Sequence, residues 1–190
     1  MVYNKQKACT LMDMHKLLIM DASSLILLGR CGLIEVLSQA FNLTVPWGVL
    51  NEVVNEETLK QYPDANTISE LVKNRKIEVF SIEKQKYRFP ITLGEGETEA
   101  IILTRQMENA ILVTDDGKAI KACRYLKIPF IISPKLVVDL YRLGEINFMV
   151  AKASIDKLRI IGRYSPEIIA EALLKLEEIK NVKTNNRQGS

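Results

Sequence analysis

The sequence predicts an α/β protein, with a central parallel sheet of about five strands covered on both faces by helices. A helical C-terminal extension follows the sheet. Three features point there. Apolar runs such as KLLIM and AILVT are short and continuous rather than alternating, as in strands buried on both faces. Helix-spaced segments alternate with these runs along the chain. Acidic residues stand where such a run ends or a helix begins: Asp21, Glu52, the pair Glu97 and Glu99, and the pair Asp115 and Asp116.

Leu17 to Met20 is the first strand and ends at Asp21. Ser23 or Ser24 can cap the helix through SLILLGRCG, and LIEVLSQA continues helically. Leu43 to Val45 is the second strand. Pro46 and Trp47 then open a helix over WGVLNEVVNEE, since proline suits a helix start. Its inner face is Val49, Val53 and Leu50. Asp64 to Asn74 reads as a helix and Ile77 to Phe80 as a third strand. SIEKQKYRFPITL is a long polar, basic loop. Glu95 to Glu108 is helical, with Ala100, Ile101, Leu103 and Thr104 inward. Ala110 to Thr114 is the fourth strand, Lys118 to Leu126 a helix, PFIIS the fifth strand and Pro134 to Leu143 a helix. Two further helical runs, Phe148 to Leu158 and Pro166 to Lys180, close the chain. Gly144 marks a boundary, so residues 16–144 form the main domain and 145–182 a helical extension packed on it. Residues 1–15 and 183–190 are expected to be flexible.

The chain has 190 residues, 47% of them apolar and 26% charged, the balance of a globular protein with a real core. A net charge of +3 is too small for wholesale coating of nucleic acid, so such contact must come from a local patch. Cys9, Cys31 and Cys123 are isolated, an odd set without a CxxC pair, which fits a reducing, cytoplasmic compartment. No apolar run is long enough to span a membrane. His15 is the only histidine, which excludes Ser-His-Asp and Cys-His catalysis and histidine-built zinc sites.

Carboxylates at strand ends meet on one rim of a parallel sheet, the rim where open sheets bind ligands. An acidic pocket there is costly unless a hard divalent cation, Mg²⁺ or Mn²⁺, neutralises it. Such an ion polarises a phosphate oxygen and lowers the pKa of a bound water, the chemistry of phosphodiester cleavage. Thr114 adds a hydroxyl beside the aspartates, and Gly117 allows a sharp turn. GEGETEAI is not a dinucleotide fingerprint, because Glu99 takes the third glycine's place and its acids would repel a pyrophosphate. Lys84, Lys86 and Arg88 interleave with Tyr87 and Phe89 in the long loop, a pattern suited to single-stranded nucleic acid. Lys118, Lys121 and Arg124 follow the aspartates at helical spacing and could line the pocket mouth.

On these residues the chain resembles PIN-domain proteins, small nucleases that include the toxin halves of VapBC-type toxin–antitoxin pairs. IMDASSLI resembles the first motif, with Asp21 and Ser23; VPWGVLNEVV the second, with Glu52; GEGETEAIILT a GE-x-E-A-I variant of the third; and LVTDDGKAIKACRYLKIP the last. The similarity runs from about Lys16 to Gly144, and Tyr164-Ser165-Pro166 also resembles the GE-x-E-A branch of archaeal and bacterial PIN-like proteins. The resemblance implies a three-layer α/β/α fold and Mg²⁺- or Mn²⁺-dependent cleavage of RNA. It implies Asp21, Glu52, Glu97 or Glu99, and Asp116 as site acids, with Asp115 the less favoured of its pair and Ser23 and Thr114 in support. It further implies a homodimer and a small antitoxin as partners. A non-catalytic PIN fold that binds RNA or protein is the alternative. A phospho-receiver domain fits poorly, because one acid rather than two follows the first strand and the doubled acid comes late.

Overall fold

The computed structural model describes residues 16–82 and 92–188. Within them, β1 (Leu17–Met20), β2 (Asn42–Pro46), β3 (Ile77–Phe80), β4 (Ile111–Val113) and β5 (Phe130–Ile131) form one parallel sheet in the order β3-β2-β1-β4-β5. Leu18 pairs with Leu43 on one side and with Ile111 on the other. Every interior residue of β1 is fully buried, which explains its unbroken run of apolar side chains. The five strands are those the apolar runs predict.

Strand order reverses beside β1. The chain first adds β2 and β3 on one side, then returns to add β4 and β5 on the other. The crevice beyond the carboxyl ends of β1 and β4 is therefore the topological switch point, where open α/β sheets bind ligands.

Helices cover both faces and make the fold three-layered, α/β/α. After β1 come α1 (Ala22–Arg30) and α2 (Ile34–Ala40), separated by a turn in which Gly32 adopts φ +71°. That left-handed backbone suits glycine and breaks what the sequence pattern reads as one continuing helix. After β2 come α3 (Trp47–Val53), α4 (Glu56–Gln61) and α5 (Pro63–Lys73). The single helix expected through Glu57 stops at Val53, because Asn55 starts a new one. Its side chain accepts from the Glu57 and Thr58 amides at 3.1 Å, and Thr58 Oγ1 accepts from the Asn55 amide at 2.9 Å, a reciprocal cap.

α6 (Glu95–Gln106) packs on α3 and lies over β2, β1 and β4. It leads into β4, so it runs antiparallel to the strands and its first turn stands at the carboxyl rim. α7 (Gly117–Leu126) follows β4, and α8 (Ser133–Leu143) follows β5. α9 (Phe148–Ile161) and α10 (Pro166–Gln188) pack on α8 and on each other. Leu158, Ile169 and Leu176 from these last helices join the same hydrophobic core as the strands. α10 continues past residue 182, where the sequence pattern expects flexibility. There Lys183 donates to the Tyr141 carbonyl at 2.7 Å and stacks over the Tyr141 ring. Among the described residues, no single helix is long and apolar enough to cross a membrane.

Candidate active site

Asp21 directly follows the central strand and is 1% exposed. Its amide donates to the Val113 carbonyl at 3.1 Å, which extends the β1–β4 ladder to the rim. Three donors hold its carboxylate. The Ser24 amide gives 2.8 Å to Oδ1, Ser23 Oγ gives 2.8 and 3.0 Å to the two oxygens, and Thr114 Oγ1 gives 2.5 Å to Oδ2. Asp21 is thus the N-cap of α1 and also the partner of the hydroxyl that ends β4. Ser24 Oγ, fully buried, ties the turn to the Val113 carbonyl at 2.8 Å. Burial pushes the Asp21 carboxyl up to about 6, against the pull of Thr114, Ser24 and Ser23.

The two acids after Thr114 diverge. Asp116 caps α7, accepting from the Lys118 and Ala119 amides at 2.7 and 2.9 Å, and both bonds fall on Oδ1. Asp115 turns to α8 instead. It accepts from the Ser133 amide at 2.9 Å and from the Ser133 hydroxyl, while its own amide donates to Ser23 Oγ at 3.0 Å. Burial raises its pKa, opposed by Ser133 and by the nearby Tyr164 hydroxyl. That hydroxyl is buried and makes no hydrogen bond of good geometry.

α3 and α6 bring the glutamates. Their close approach depends on two glycines. A Cβ at Gly96 would stand 3.1 Å from Val49 and 3.3 Å from Glu52 Oε2. A Cβ at Gly48 would stand 2.6 Å from Glu99 Oε2. Glu99 is buried and accepts the Gly48 amide at 2.8 Å, which locks α6 onto the start of α3. Glu97 accepts the Gly94 amide at 2.7 Å within its own first turn. Glu52 is an exposed residue whose carboxylate leans on Gly96, and its pKa is raised by this partial shielding and then by the charge of Glu97. So Glu52 and Glu97 are near neighbours, and Glu99 serves the contact between the helices. Gly48→Ala is expected to drive Glu99 off its amide and to cost about 1.5–3 kcal/mol, the worth of a hydrogen bond to a charged group. Thermal unfolding checks this; an unchanged midpoint would show that Glu99 finds another partner.

Lys118 and Lys121 are exposed on the first turns of α7. Lys84, Lys86 and Arg88 lie outside the described residues. Gly48, Gly96 and Ser133 escaped the sequence reading, and Tyr164 entered it only through the resemblance of Tyr164-Ser165-Pro166. Ser133 had a usable signal, since it is a hydroxyl at the end of β5 as Thr114 is at the end of β4. The two glycines had none short of the helix crossing itself.

The donor chemistry suits a hard divalent cation. All candidate groups are carboxylate or hydroxyl oxygens, and the shifts on Asp21 and Glu52 arise from burial and like charge, with no cationic side chain among their causes. The geometry is less complete. Among the described residues, no three acids stand close enough together to hold a metal ion. The structure ties Asp21 to the Thr114 hydroxyl and sets Glu52 near Glu97.

A search of curated proteins finds no match. Among solved structures, the chain is similar to a PilT N-terminus domain protein from the hyperthermophilic archaeon Sulfolobus solfataricus, with 17% identity and a TM-score of 0.42 over 63% of this chain and 89% of the other. A family model described as a PIN domain matches residues 17–178, which takes in the whole sheet, the rim acids and most of the C-terminal helices. By that match the chain belongs to the PIN-domain family, a nuclease-type superfamily.

Proposed function

We propose that the protein is a metal-dependent endoribonuclease that hydrolyses RNA phosphodiester bonds at the rim beyond β1 and β4. The observation that carries this reading is the buried, hydrogen-bonded Asp21 at the switch point; Glu52 and Glu97, near neighbours on α3 and α6, would complete the site. Asp21, Glu52, Glu97 and the uncapped oxygen of Asp116 are the groups that would hold Mg²⁺ or Mn²⁺. Such an ion supplies charge neutralisation at phosphate and an activated water. The chain's own part is orientation and proton handling. Ser23, Ser24 and Thr114 fix Asp21 in one rotamer, so its oxygens need no reordering when a cation or phosphate arrives. Glu52, its pKa raised by partial burial and by the charge of Glu97 and its position open to solvent, can accept a proton from water at its carboxylate. Lys118 and Lys121 would meet backbone phosphates. The associated partners, a second copy and a small antitoxin, rest on family resemblance alone.

A second reading, a non-catalytic PIN fold that binds RNA or protein, is favoured by one observation. The Asp21 oxygens already have three protein donors, and no three described acids converge. Cleavage of a mixed single-stranded RNA pool separates the two readings. Wild-type protein with Mn²⁺ or Mg²⁺ is expected to cut, and protein with EDTA is not. Glu52→Gln, at an exposed position that leaves folding intact, should slow cutting by about 10²- to 10⁴-fold. Neither cleavage nor metal binding by calorimetry would sink the nuclease and leave the binding module.

A further inference from the structure

Trp47 is the only tryptophan in the chain and is 53% exposed, although large aromatic side chains normally hide most of their surface. It is the first residue of α3, one position beyond β2. The β1–β2 register pairs Ile19 with Thr44; two residues on, Asp21 stands level with Pro46. Adjacent strands lie about 4.8 Å apart, so the Trp47 backbone is at the rim one residue past the neighbour of Asp21. The backbone that carries the indole therefore stands at the rim next to the strand end that bears Asp21.

The fold does not need an indole there. α3 is anchored by buried Val49, Leu50 and Val53. The backbone beneath Trp47 is fixed on both sides, by buried Pro46 before it and by the Gly48 amide bound to Glu99 after it. A rigid, solvent-facing aromatic is a preorganised contact rather than a loose one. The surface it shares is polar: Asn51, one turn along, and Glu52 are the exposed residues of α3 with it. Among the described residues, the other large exposed apolar side chains lie on α7, α9 and α10 and at Tyr62, before α5. Within α3, Trp47 has no exposed apolar neighbour, so this helix does not present the apolar patch that docks a protein partner. A lone indole flanked by polar and acidic groups suits the flat, uncharged face of an unpaired base, which stacks regardless of sequence.

We infer that Trp47 is a stacking platform for a base of single-stranded RNA, positioning the strand against the rim acids; this rests on the nuclease reading above. Bases paired in a duplex cannot stack on it, so single strands are the substrate class it selects.

Because Trp47 is the sole indole, its emission reports directly on the contact. The test uses the Glu52→Gln protein, to prevent cleavage, and a labelled oligouridine followed by anisotropy together with tryptophan emission. An abasic oligomer and a duplex of equal length serve as controls. Oligouridine is expected to bind and quench the emission, whereas the abasic oligomer and the duplex should not quench it. Trp47→Ala should weaken oligouridine binding by about 5- to 100-fold with the unfolding midpoint kept, and Trp47→Phe by less. Binding that leaves the emission unchanged, or that survives Trp47→Ala undiminished, would overturn the inference while leaving the nuclease reading intact. Loss of a dimer in Trp47→Ala with RNA affinity preserved would assign the residue to a protein contact and overturn it too. No anisotropy change with any RNA would bring down the nuclease reading and the inference together.

Discussion

Asp21→Asn is expected to make the metal-free protein more stable at neutral pH while abolishing cleavage of RNA. The Asp21 carboxyl is raised from 3.8 to about 6 because burial disfavours its charge. Between those values the folded state binds a proton that the unfolded chain has released. Stability therefore falls as pH rises through that window, and the full penalty, about 3 kcal/mol, is present at pH 7. Asparagine removes the charge yet keeps the role in the fold. Its side-chain oxygen still accepts the Ser24 amide as an N-cap, and the Thr114 and Ser23 hydroxyls can turn to suit an amide. In EDTA, the unfolding midpoint of the variant should exceed that of wild type by about 5–10 °C at pH 7, at about 2–4 °C per kcal/mol for a chain of this size. The two should converge near pH 4. Mg²⁺ should then stabilise wild type more than the variant, since only wild type gains a neutralising ion. A variant that melts lower than wild type at pH 7 would show that the charged carboxylate is a net support of the fold.

Asp115→Ala is expected to lower stability by about 2–4 kcal/mol, because it strands two buried donors. Ser133 is fully buried, and both its amide and its hydroxyl give their protons to Asp115. These bonds join the end of β4 to the first turn of α8, the helix on which α9 and α10 pack. Relief of the raised Asp115 carboxyl offsets only part of the loss. Urea unfolding measures the total, and amide exchange locates it: protection should fall first in α8. Asp115→Asn keeps acceptors for Ser133 and should cost clearly less. Equal losses in the two variants would mean that charge, not hydrogen bonding, holds the joint.

Much of the framework was legible in the chain. KLLIM and AILVT declare buried strands because a strand covered on both faces must be apolar on both. The acids at 21, 97, 99, 115 and 116 were legible as strand-end or helix-start residues, because a carboxylate at those places satisfies amides that would otherwise lack partners. What each acid does there was not legible. Asp115 and Asp116 are adjacent and identical in type, yet one caps α7 and the other reaches Ser133, eighteen positions away. Glu97 and Glu99 differ by two places in one helix, yet one faces Glu52 and the other is consumed by Gly48.

By itself, then, the sequence determined which segments become strands and helices, and which acids stand at strand ends or helix starts. Those properties follow from local periodicity and from the parallel direction of the strands. Only the tertiary structure decided how the acids are shared between holding the fold and facing solvent. That division depends on which helix crosses which, and at what distance. The approach of α3 to α6 is set by the missing Cβ atoms of Gly48 and Gly96, which the local pattern does not register. The reversal of strand order beside β1 likewise arises only when the chain returns to add β4, and it is this that sets Thr114 against Asp21.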